Sequence, residues 1–163
     1  MSYKTGERTG WRCEWISKEH RSWGEDLYLC DLDFCCVEYY SLEPTLFVDY
    51  KHIKGFENIH WKSSGLTVLS KVATRADLPF VITVYNPRGK PDPTFDLYPY
   101  NKIAQDYYGT KPVHYNRRDY VGMLYELRGF KMNEYLKKRL DNLPPPQEEK
   151  EYPTSSEKSE SFF

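Results

Sequence analysis

The run Leu78-Pro79-Phe80-Val81-Ile82-Thr83-Val84-Tyr85 constrains the chain more than any other stretch. It is almost unbroken in β-branched and aromatic residues and lacks the polar alternation of a half-solvated strand. The pattern predicts a strand buried on both faces. Such a strand needs cover on either side of its sheet, which points to an α/β domain.

The segments around it supply the other elements. Residues 11–23 carry Trp11, Trp15 and Ile16 between charges, which predicts a short first helix stopped at Gly24. Residues 27–40 and 45–52 read as two antiparallel strands joined by a hairpin turn at 41–44. Residues 57–75 are expected to form a helix interrupted or loosened near Gly65. After the central strand come a Pro/Gly loop at 86–93, a short strand at 95–98 and a turn or two of helix at 101–108. Residues 117–143 hold Tyr120, Met123, Leu124 and Leu127, then Tyr135, Leu136, Leu140 and Leu143, at helical spacing. One or two helices with a break at Gly129 follow from that spacing.

Pro144-Pro145-Pro146 ends the periodic sequence, and the Glu/Ser/Lys/Pro residues after it lack the apolar content to fold. The expected organisation is a flexible N-terminus at 1–10, one α/β domain at 11–143 and a disordered acidic tail at 144–163. Net charge over the 163 residues is -1, which argues against coating nucleic acid through bulk positive charge. The tail holds Glu148, Glu149, Glu151, Glu157 and Glu160 against Lys150 and Lys158, so the body is left mildly basic. Aromatic residues make up 17% of the chain, including 15 Tyr. Rings with a polar tip suit half-buried walls and grooves.

Cys13, Cys30, Cys35 and Cys36 form no CxxC pair, and Cys35 and Cys36 would point to opposite faces of a strand. Buried free thiols are expected rather than a zinc site. The opening Met-Ser-Tyr-Lys-Thr-Gly has no apolar stretch resembling a signal peptide. No run approaches the roughly 18 apolar residues needed to span a bilayer. A reducing, cytoplasmic setting with no membrane partner is the expectation.

Chemistry concentrates in the hairpin. In Thr45-Leu46-Phe47-Val48-Asp49-Tyr50-Lys51, strand alternation puts Asp49 and Lys51 on one face and Leu46, Val48 and Tyr50 on the other. Charges on a strand otherwise suited to burial are costly unless paired or bound to a metal. Asp31 and Asp33 alternate in the same way one strand earlier, and the hairpin can bring Asp33 beside Asp49. Two carboxylates on neighbouring strands suit a hard divalent cation, with Lys51 placed to orient water or stabilise charge in phosphodiester hydrolysis. A register that turns Asp31 inward instead, and a plain exposed pair on an edge strand, stand as alternatives.

The Asp33 … Asp49-Tyr50-Lys51 pattern, with a helix before it and a helix then a strand after it, resembles the PD-(D/E)XK nuclease superfamily. The resemblance implies a restriction-endonuclease-like core of helix, three-stranded β-meander, crossover helix and further strand, here followed by C-terminal helices. It covers residues 11–86. Leu32 stands where the family usually has Pro before its first Asp. The resemblance implies Asp33 and Asp49 as metal ligands and Lys51 as the catalytic lysine. Glu19, on the first helix, is implied as a further ligand. It also implies Mg2+ or Mn2+ as cofactor, DNA rather than RNA as substrate, and a possible homodimer. The small size, without a separate recognition domain, fits an accessory nuclease of a phage or bacterial setting.

The basic stretch with Arg117, Arg118, Arg128 and Lys131, interleaved with Tyr120, Tyr125 and Phe130, is a candidate nucleic-acid track. Arg88 and Lys90 in the loop 86–93 form a second one. Glu38 and His52 are lesser candidates for metal or phosphate contact. The end Ser159-Glu160-Ser161-Phe162-Phe163 resembles the acidic, Phe-terminated tip by which single-stranded-DNA-binding proteins recruit partners, with a passive solubilising tail as its rival. A nuclease fold that only binds nucleic acid or protein is the alternative to an enzyme.

Overall fold

The computed structural model describes residues 32, 34–38, 40–89 and 92–143. Five strands form one mixed sheet in sequential order: β1 (Phe34–Val37), β2 (Pro44–His52), β3 (Phe80–Asn86), β4 (Thr94–Pro99) and β5 (Val113–Asn116). The protein is therefore α/β, as the central run requires. β2 and β3 are parallel, and the other three pairs are antiparallel. A parallel neighbour needs a crossover, and it is supplied by a 3-10 helix (Ile53–Asn58) followed by α1 (Ser64–Arg75). The remaining helices are α2 (Lys102–Tyr108), α3 (Arg117–Leu127) and α4 (Glu134–Asp141).

The central run is buried as expected, with Phe80, Val81, Ile82, Thr83 and Val84 each almost fully out of solvent. Alternation along it divides the core in two. One face gathers Leu46, Val48, Val81 and Leu97 with Ala104 of α2 and Tyr120 and Met123 of α3. The other gathers Phe47, Phe80 and Ile82 with Leu66, Leu69 and Ala73 of α1 and Leu78.

The structure departs from the sequence reading at the helix, at β5 and at Cys35. The helix at 57–75 is two elements, and Gly65 sits at the start of α1 rather than at a break. Ser63 caps α1, its Oγ accepting from Leu66 N, so the expected interruption or loosening is a fresh helix start just before Gly65. β5 was not foreseen, because Val113-His114-Tyr115-Asn116 is short and carries only alternate apolar residues. The break at Gly129 is real: its φ of 76° separates α3 from α4. Cys35 is exposed and Cys36 half-buried, both as free thiols, so only Cys36 approaches the expected burial. Among the described residues, no helix is long and apolar enough to cross a membrane. The expected first helix, the N-terminus at 1–10 and the tail at 144–163 lie outside the described residues.

Candidate active site

β2 lies inside the sheet between β1 and β3, so the alternative of an edge-strand ion pair does not hold. The strand alternates as read: Leu46, Val48 and Tyr50 turn to the α3 face, while Phe47 belongs to the α1 face. Asp49 and Lys51 share that α1 face by alternation. Asp49 is 6% exposed. Lys51 Nζ stands 2.5 Å from Asp49 Oδ1 as an ion pair. That oxygen nevertheless accepts no hydrogen bond of adequate angle. The Lys51 ammonium lies directly against that oxygen and balances its charge, so a cation bound at Oδ1 would share it with Lys51.

The expected partners of Asp49 are Asp33 and Glu19, with Asp31 as the alternative, and all three lie outside the described residues. The nearest described pairing on the hairpin sets Phe34 opposite Val48. Among the described residues, no group of three His, Cys, Asp or Glu is placed to hold a metal.

Other singled-out residues fall elsewhere. α3 packs through Tyr120 and Met123 on the face opposite Asp49 and Lys51, so the helix bearing Arg117 and Arg118 covers the far side of the sheet. Arg118 pairs with Asp141 at 3.2 Å. Arg128 is 3.1 Å from Glu38 Oε1 and lies over the rings of Tyr125 and Phe130. Glu38 also accepts from the backbone N–H groups of Tyr40 and Ser41, both at 2.7 Å. The Ser41 and Tyr40 amides and Arg128 together hold its carboxyl down at about 2. Glu38 and Arg128 thus tie the hairpin turn to the end of α3. His52 Nδ1 accepts from Lys54 N at 3.0 Å and caps the 3-10 helix. Lys131 is exposed, Arg88 is exposed in the turn after β3, and Lys90 is outside the described residues.

Sequence reasoning missed a row of residues that only register reveals. Lys51 pairs with Val84, Val84 with Asp96, and Asp96 with His114. Asp96 Oδ1 and His114 Nδ1 are 2.6 Å apart, with the His114 side chain 67% exposed. One row below, Asp49, Ile82 and Tyr98 are aligned. Tyr98 is joined there by Trp61 at 4.9 Å between ring centroids and by Phe56 at 6.0 Å. His114 was invisible because β5 itself was not expected; Trp61 was hidden inside an assumed helix, and Phe56 stood just before it, unassigned. No protein-family model, no curated protein and no solved structure matches the chain.

Proposed function

We propose that the protein is a metal-dependent nuclease that hydrolyses phosphodiester bonds in DNA, with Asp49 and Lys51 at its centre. The observation that carries this reading is a buried carboxylate paired with a lysine on an interior strand. An interior strand gives little reason for such a group other than chemistry. The finer fold assignment belongs to the same reading. β1, β2, α1 and β3 would be the last two strands of the meander, the crossover helix and the further strand of a PD-(D/E)XK core.

Continuing the Phe34–Val48 ladder by one residue is what the reading requires of Asp33, which would then face Asp49. Asp33, Asp49 and Glu19 would hold the Mg2+ or Mn2+. A bound divalent cation supplies charge neutralisation at the phosphoryl oxygen and a more acidic water. Lys51 is a pure donor. At 2.5 Å from Asp49 it can orient a water's lone pair toward phosphorus and oppose the negative charge that develops there. Burial of Asp49 keeps bulk water from screening that interaction.

Cleavage of labelled DNA and RNA in Mg2+ or Mn2+ tests the reading. Lys51→Ala should lower the rate by about 10²- to 10³-fold, and Asp49→Ala should remove metal-dependent cutting. A second reading, a nuclease fold used only for binding, draws on the same ion pair, because Lys51 already neutralises Asp49 without a metal. Calorimetric titration with Mn2+ separates the two. Heat of binding lost in Asp49→Ala favours the enzyme, and no heat from the wild type favours the module.

A further inference from the structure

We propose that the aromatic cluster Phe56–Trp61–Tyr98 is a base-stacking platform, so that the substrate is an unpaired nucleic-acid strand; this rests on the nuclease reading of Asp49 and Lys51. The cluster lies on the same sheet face as those two residues. Tyr98 is level with Asp49 across β3, two strand spacings away. That is about 10 Å, the length of about three stacked nucleotides. Ile82, between them, is fully buried in the α1 cluster, so this is the separation along the sheet and not an open path across it.

Of the three rings, Phe56 is the one most open to solvent. Trp61 and Tyr98 pack inward against the α1 cluster. Tyr100 Oη donates to Trp61 O at 2.5 Å and fixes the loop that carries the indole. Phe56 contacts both, edge-on to Trp61 at 6.2 Å and tilted against Tyr98 at 6.0 Å between ring centroids, and is 36% exposed. An open depression lined by Ile59, His60, Trp61, Lys62 and Ser63 adjoins the cluster.

Charge around the rings favours a phosphate backbone. Lys54 and Lys62 flank Phe56 and Trp61 in the chain, are exposed, and form no ion pair among the described residues. Glu57 is the acidic residue of the same segment and leaves it net positive. Aromatic faces with unpaired cations beside them hold single strands, whose bases are free to stack. A duplex keeps its bases stacked on one another and offers the rings nothing.

Fluorescence anisotropy on the full chain without divalent metal tests this. Labelled oligothymidylate and oligouridylate of about 16 nucleotides are compared with the same strands annealed to their complements. The unpaired strands should bind at least about tenfold more tightly than the duplexes, and Phe56→Ala should weaken them about tenfold. The deoxyribose or ribose strand that binds more tightly identifies the sugar. Lys62→Gln should weaken single-strand binding and flatten its salt dependence. Phe56 and Lys62 are exposed, so both variants keep the fold, which a melting curve verifies. Equal affinity for duplex and single strand, or a folded Phe56→Ala that binds like wild type, overturns the platform. Because no metal is present, the two ideas fail separately. Selective binding without any cleavage in Mg2+ sinks only the nuclease, and cleavage untouched by Phe56→Ala sinks only the platform.

Discussion

Asn101 shows how much one buried amide can hold. It is 3% exposed, and its Oδ1 accepts from Phe80 N and Ala104 N while its Nδ2 donates to Leu78 O and Thr74 Oγ1. It thereby caps α2 and joins that helix to β3 and to the end of α1. Asn101→Ala leaves those groups without partners and should cost about 3 kcal/mol, from the lost cap and the orphaned backbone groups together. Chemical denaturation reads this directly. Asp77 offers the opposite case. Its φ of 57° puts a residue with a side chain where glycine rests more easily. Asp77→Gly should stabilise the protein by about 0.5 to 1 kcal/mol, seen as a raised melting temperature. Neither role could be read from the sequence, since Asn101 and Asp77 look like ordinary loop residues until their hydrogen bonds and dihedrals are known. Asp49 and Lys51 are different: period-2 alternation alone placed them together on one face.

At the scale of elements, α1 ends in a Schellman motif around Asp77. Leu78 N bonds to Ala73 O and Asp77 N to Thr74 O, and Leu78 and Ala73 meet in the same apolar cluster. The β1–β2 turn is held by Glu38, Arg128 and the Tyr40 and Ser41 amides. Because the folded Glu38 carboxyl sits near 2, against an ordinary 4.5, its stabilisation is complete above pH 4.5 and is lost as pH falls toward 2. Thermal melts of wild type and Glu38→Gln should therefore differ at pH 7 and converge at pH 2. Elements with strong local patterns, β3 and α3, were evident from sequence. The start of α1 was not, because Ile59 and the residues after it carry apolar spacing that a 3-10 helix and a loop share with an α-helix. β5 exists because β4 offers it an edge, a tertiary cause that its four residues do not encode.

The whole described molecule is a sheet with an apolar cluster on each side, α1 on one and α2 and α3 on the other. Ile82 and Leu97 are fully buried and belong to opposite clusters. Ile82→Ala and Leu97→Ala should each cost about 2 to 5 kcal/mol. Near- and far-ultraviolet circular dichroism should still report a single coincident transition, since β3 and β4 belong to both sides. The α/β class followed from one run of sequence, but the alignment of Asp49 with Tyr98, and of Lys51 with Asp96 and His114, depends on register across several strands. The parallel pairing of β2 and β3 also has a meaning in time. Val84 meets Asp96 across a short turn, whereas Asp49 meets Ile82 only after the long segment containing α1 has been laid down. Distant pairings are slow to close. On the ribosome, Asp49 leaves the tunnel well before the strand that must lie beside it, so a nascent chain carries this carboxylate solvated until β3, through Asn86, has also emerged.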